Sequence, residues 1–211
     1  NWRLLATHTG SNFQIDNYAG GAWETSIKAV GNGAVELFDN GLKKLETTST
    51  GVSVTGAITG TTDATINSIT VGKGANSVTG NTVLGELALD AAVTGSLNTA
   101  IGNTVLTANT TGYQNTAVGA LAMDANTTGS LNTGVGLSAL GSNTSGGSNT
   151  ATGHNSLASN SSGGGNTAIG RRALNANTTA DNNTAVGFDS LLSNTTGANN
   201  TAVGYGSLDS N

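Results

Sequence analysis

The stretch Asn115-Thr116-Ala117-Val118-Gly119-Ala120-Leu121-Ala122-Met123-Asp124-Ala125-Asn126-Thr127-Thr128-Gly129-Ser130-Leu131 is one copy of a pattern that also begins at Asn81, Asn98, Asn132, Asn149, Asn166, Asn183 and Asn200. Successive starts are 17 residues apart with no insertion, and each copy reads Asn-Thr, a small or apolar pair, then Gly. A fixed period of this size marks a solenoid, in which each rung buries its apolar side only when a neighbour stacks on it. Eight rungs are expected across residues 81–211, the last one incomplete.

Two apolar columns follow from the register. Position four holds Leu84, Ile101, Val118, Val135, Thr152, Ile169, Val186 and Val203; position nine holds Leu89, Leu106, Met123, Leu140, Leu157, Leu174, Leu191 and Leu208. Both are expected to be buried, with Thr152 the polar exception. An unbroken strand sends positions four and nine to opposite faces, so the Gly at position five is expected to supply the bend that turns both inward. A second Gly, at position fifteen, is expected where positive φ closes the rung, and Ala180 departs from it once. A helix in each repeat is the competing reading. Nine residues separate the two glycines, and they include Asn-Thr-Thr or Asn-Ser-Ser, which leaves a helix little room. The fold class is therefore all-β, an N-terminal β module followed by a β-roll or β-helix rod.

The flanking sequence differs. Residues 1–50 carry Trp2, Phe13, Tyr18, Trp23 and Phe38, and Asn12 to Asp16 alternates as a half-buried strand does. A hairpin is expected around Asp39, Asn40 and Gly41, with Gly41 left-handed, Phe38 facing Leu42, Glu36 facing Lys44 and Val35 facing Leu45. Residues 51–80 read as a connector of short strands and Gly turns. Neither end has the character of a natural terminus, so the chain is expected to be part of a longer polypeptide.

Charged residues make up 9% of the chain and its net charge is −5, with Arg171 and Arg172 the only cations after Lys73. No basic patch exists to neutralise a phosphate backbone, so nucleic-acid binding is not expected. Without Cys there is no disulfide or thiolate metal site, and no apolar run is long enough to insert in a membrane as a helix. Collagen is excluded because Gly does not recur every third residue and Pro is absent.

Nothing in the sequence points to catalysis, a cofactor or a metal. The histidines, His8 and His154, stand in different modules, and no His, Cys, Asp or Glu cluster has metal-ligand spacing. The chain is read as not an enzyme. The Asn rows at positions one and twelve, the latter giving sequons at Asn109, Asn126, Asn143, Asn160, Asn177 and Asn194, are read as turn residues and stacked hydrogen-bonded ladders. Calcium-binding rolls need Asp at fixed spacing, and an ice-binding array needs Thr that alternate rather than the adjacent pairs Thr110-Thr111 and Thr127-Thr128. The variable positions hold the distinctive side chains Tyr113, His154, Arg171, Arg172, Phe188 and Tyr205, which are the candidate receptor contacts, the aromatics as platforms for sugar rings.

The segment from Gly33-Ala34-Val35-Glu36-Leu37-Phe38-Asp39-Asn40-Gly41 through Leu42-Lys43-Lys44-Leu45-Glu46-Thr47-Thr48-Ser49-Thr50-Gly51-Val52-Ser53-Val54-Thr55-Gly56 resembles one that recurs in tail fibres of tailed bacteriophages, especially those of marine and cyanobacterial hosts. The Asn-Thr-Ala-Val-Gly repeats resemble those of the same fibres, and are also similar to the shorter head repeats of trimeric autotransporter adhesins. The resemblance implies a homotrimeric fibre of the virion, joined to other tail proteins, that attaches to a glycan or protein receptor on the host surface. The alternative it leaves open is a bacterial trimeric surface adhesin or extracellular filament. A homotrimer also agrees with the size of the rungs. Two sizeable apolar side chains per rung fall well short of the entropy of ordering 17 residues, so further faces are expected to be buried between copies.

Overall fold

The structure is a computed structural model and describes residues 1–7, 12–30, 33–40, 42–55, 63–91 and 93–209. It divides into two compact units, Asn1–Gly60 and Thr61–Asn211. The stretch 51–80, expected as a connector, is thus shared: its first strand belongs to the N-terminal sheet and its later strands to the solenoid sheet.

The first unit is an antiparallel meander of β1 (Trp2–Thr7), β2 (Asn12–Ala19), β3 (Ala22–Ala29), β4 (Val35–Asp39), β5 (Leu42–Thr48) and β6 (Gly51–Val54). Leu4, Ile15, Ile27, Leu37, Leu45 and Val54 stand directly opposite one another, one per strand, and form an aliphatic row across one face. Beside them Arg3 pairs with Asp16, and Gln14, Lys28, Glu36 and Glu46 form a polar row whose side chains point the other way. Strand β2 forms where expected, but its covered side chain is Asp16, 1% exposed, whereas Phe13 is 43% exposed. The aliphatic row is open in part, with Leu4 69%, Ile27 36%, Leu37 38% and Val54 38% exposed. The hairpin register also differs from expectation. Asp39 pairs with Leu42, Phe38 with Lys43, Leu37 with Leu45 and Glu36 with Glu46, with a bulge between. Asn40 is left-handed (φ 50°), which tightens the loop to two residues, and the bulge then restores Leu45 to the aliphatic row while Lys43 Nζ reaches Glu36 at 2.8 Å. Gly41 itself lies outside the described residues.

In the second unit, β7 (Ala64–Ile66) and β8 (Ile69–Gly72) form a hairpin, and β8 lies antiparallel on β9 (Thr82–Gly85). From there β10 (Thr99–Ile101), β11 (Thr116–Val118), β12 (Thr133–Val135), β13 (Thr150–Thr152), β14 (Thr167–Ile169), β15 (Thr184–Val186) and β16 (Thr201–Val203) stack in parallel, each residue on its equivalent 17 positions away. The result is a β-solenoid of about seven turns, with no α-helix among the described residues. Backbone bonds run from rung to rung around the whole turn. In the fourth rung, Thr133, Leu140, Ser142 and Thr144 donate to the rung after it and Gly136, Ser138 and Ser148 to the rung before it, at 2.8–3.1 Å.

The core is narrow. Position nine is buried as expected, at 0% exposure from Leu89 to Leu191, with Leu208 on the last rung 48% exposed. Its partner column is not position four but position three, where Val83, Ala100, Ala117, Ala151, Ala168, Ala185 and Ala202 are at most 4% exposed. Position four faces outward: Leu84, Val135, Ile169 and Val203 are 36–69% exposed. The reason is strand alternation, since the bend at position five comes after the strand has already committed residue three to the inside and residue four to the outside. The volume available inside suits this. Where the third rung has the longer Met123, the next has Gly134, whose missing Cβ would sit 3.0 Å from Met123 Cε.

The two glycines serve different needs. At position five φ is +123° to +157°, and in Gly153 a Cβ would lie 2.6 Å from Gly170 O, so both backbone conformation and close approach require Gly. At position fifteen φ is not positive, contrary to expectation, except that close approach remains: a Cβ on Gly129 would lie 2.4 Å from Asn126 Oδ1. The left-handed corners fall instead at positions seven, nine and seventeen, for example Ser138 (φ 53°), Leu140 (φ 54°) and Ser148 (φ 59°).

Candidate functional site

Because each rung repeats the same path, residues at one position form a column at the strand spacing of about 4.8 Å. Position six carries Leu137, His154, Arg171, Phe188 and Tyr205 on consecutive rungs. Four of the six candidate receptor contacts therefore share one corner of the solenoid. Phe188 and Tyr205 stack, with ring centroids 5.4 Å apart and planes at 16°, and the Arg171 guanidinium carbon lies 5.1 Å from the Phe188 centroid. This continues a cation–aromatic stack over three rungs. Tyr205 is 82% exposed and Phe188 38%.

Arg172 stands in the neighbouring column, at position seven, where its Nε donates to Asp189 Oδ1 at 2.8 Å and its Nη2 also pairs with Asp189. The hydrogen bond to Asp189 raises the guanidinium pKa further, with burial opposing it. Arg171 has no carboxylate partner among the described residues. The two arginines thus differ in kind, one neutralised in place and one open to an anionic group. Asp189 lies 17 residues from Arg172, so the register alone places the pair side by side. Tyr113, at position sixteen of the second rung and 46% exposed, belongs to a different corner and is not brought to the others.

The sequon asparagines are enclosed. Asn109, Asn126, Asn143, Asn160, Asn177 and Asn194 are 0–1% exposed. In the middle of the ladder, Asn143 Nδ2 donates to Asn126 Oδ1 (2.9 Å) and to Gly146 O (3.0 Å), and Asn143 Oδ1 accepts from Asn160 Nδ2 (2.8 Å). The position-one row forms a second ladder in which Asn132 Oδ1 accepts from Asn149 N at 2.9 Å while Asn132 Nδ2 donates to Gly146 O at 2.8 Å. One position-fifteen carbonyl therefore receives both rows. These amides are core, already satisfied, and out of reach of a glycosylating enzyme in the folded chain.

On the N-terminal sheet, Trp23 and Phe38 flank Gln14, Glu24, Thr25 and Lys28 around a concavity of about 450 Å³. Arg3 lies over the Trp23 ring at 4.6 Å, and Tyr18 meets Trp23 edge-on at 5.4 Å, so the aromatic surface there is largely occupied by its own neighbours. Among the described residues no group of three or more His, Cys, Asp or Glu is placed to hold a metal ion. No protein-family model, curated protein or solved structure matches this chain.

Proposed function

We propose that the chain is a shaft segment of a phage tail fibre, assembled as a parallel homotrimer with other tail proteins of the virion, and that it serves host attachment rather than catalysis. The observation that supports this best is the solenoid itself: the second to seventh rungs are fixed by backbone bonds and two Asn ladders to the rungs beside them, an arrangement suited to transmitting position along an axis. The resemblance of residues 33–56 and of the repeats to phage tail fibres gives that scaffold its setting. Recognition of a host-surface glycan is assigned to the position-six column, where Tyr205 offers a ring face and Arg171 an unpaired cation.

The test is sedimentation of the folded protein together with antibody labelling of purified virions. Three chain masses and label on the tail are expected. A folded monomer at micromolar concentration would sink the trimer, and label confined to a bacterial envelope would move the chain to the adhesin class. For the glycan clause, Arg171→Gln combined with Tyr205→Ala should lower adsorption of the fibre to host cells without changing its mass, since both side chains are exposed.

A further inference from the structure

The outward column at position four has no task within a single chain. The interior is filled by positions three, eight and nine and by the Asn ladders, and the neighbouring outward column, position two, is Thr on all eight rungs. Thr satisfies strand propensity as well as Val does, so propensity alone does not demand aliphatics at position four. Yet seven of the eight residues there are Leu, Ile or Val, and Leu84 and Ile101 with Ile69 line an apolar hollow of about 430 Å³ on the same face. An outward apolar stripe of this kind, with four of its aliphatic residues exposed, three half-buried and one break at Thr152, marks an interaction surface.

We infer that the outward face of β9–β16 is where copies of this chain meet, parallel and in register. The inference rests on the self-association proposed above and assigns it to named residues. The period selects the occupant. The stripe presents one aliphatic side chain per rung, about every 4.8 Å, and a globular partner lacking that repeat would engage it at only a level or two. Another copy of the chain has the same rise and meets it at every level. Positions two and four carry no charge on any rung, so like meets like without repulsion despite the chain's net charge of −5. Thr152 fixes the register. In register it faces its own equivalent, and two hydroxyls can hydrogen-bond; a slip of one rung sets each against an aliphatic side chain and leaves a hydroxyl unpaired.

The absence of Cys makes the test direct. Single variants Val135→Cys, on this face, and Thr179→Cys, exposed at position fourteen, are oxidised with dioxygen through a copper–phenanthroline complex. Two thiols lose two protons and two electrons to the oxygen as one disulfide forms. Val135→Cys should give covalent dimers and Thr179→Cys should not; crosslinking at Thr179 alone, at both equally, or at neither in an assembly of several chains overturns the inference. A second arm uses Val135→Glu with Val186→Glu. The double variant should sediment as one chain mass. If the unaltered chain is itself a monomer, the assembly reading fails along with this one. If the unaltered chain and the double variant are both oligomers, only the assignment to this face fails.

Discussion

Asn143 shows how much of the solenoid rests on one side chain type. Its amide donates to Asn126 and to the Gly146 carbonyl and accepts from Asn160, all inside a core with no exposure. In Asn143→Ala, Asn160 keeps its bond to Gly163 O and Gly146 O keeps Asn132, but Asn126 Oδ1 is left with no donor. A buried unpaired acceptor costs about 1–3 kcal/mol, and the cavity adds to it. Urea unfolding should therefore show a loss of roughly 2–4 kcal/mol, comparable to truncating a core leucine; a loss under about 0.5 kcal/mol would mean the ladder is incidental. The Asn rows were legible because Asn has a known mechanism in turns and ladders. Left-handed leucines were not. Position nine holds φ of 48–54° from Leu89 to Leu208, a conformation that costs a non-glycine residue about 1–2 kcal/mol and has no sequence signature. It is held because the Leu140 N–H donates to Ser156 O in the next rung while the side chain is fully buried.

Strands obey the alternation rule more strictly than turn chemistry suggests. Position four lies outward because Thr133, Gly134 and Val135 form a three-residue strand, and a glycine placed after it cannot alter which way its members point. The solenoid and its period were readable from spacing alone, whereas the outward row needed the strand boundaries, and the Arg172–Asp189 pair needed the register to be applied to charges. The two sheets also differ in their response to acid. On the N-terminal sheet, burial pushes the Asp16 carboxyl upward, but the Arg3 guanidinium and hydrogen bonds from Gln14 and Thr25 outweigh it and hold its pKa below the ordinary value. The bond from Lys43, opposed by burial and assisted by Lys28, does the same for Glu36. Depressed carboxylates stabilise a fold fully above their unfolded pKa of about 4 and lose that contribution as pH falls through the folded value. Asp124 on the solenoid has the opposite sign: burial raises its pKa, so its contribution is present at low pH and is lost as pH rises through that value. Amide exchange compared at about pH 6 and about pH 3, corrected for intrinsic rates, should show β1–β6 losing protection before β9–β16. Earlier loss in β9–β16 would refute this assignment of the acid response.

A chain built of equal rungs should tolerate the loss of a whole one and resist the loss of a fraction. Deleting residues 133–149, which number 17, joins Asn132 to Thr150 and restores Asn-Thr-Ala-Thr-Gly, so every later residue keeps its position in the turn. Both Asn ladders close across the join, because Asn126 and Asn160 become neighbours in the position-twelve row, as do Asn132 and Asn166 in the position-one row. Deleting only 134–149 leaves a rung one residue too long. Its strand then begins Thr133, Thr150, Ala151, which turns Thr150 inward and Ala151 outward unless the extra residue bulges out of the stack. Repeat proteins derive their stability from each rung and its two interfaces, so removal of one intact rung subtracts a unit and leaves the others as they were. The 17-residue deletion should keep the strand circular dichroism and a single cooperative transition, with a smaller denaturant m-value because less surface is exposed on unfolding. The shorter deletion should melt at a lower temperature or in two steps, the stack having been divided at the misfitted rung. Equal behaviour of the two proteins would show that the 17-residue register is not what holds the solenoid together.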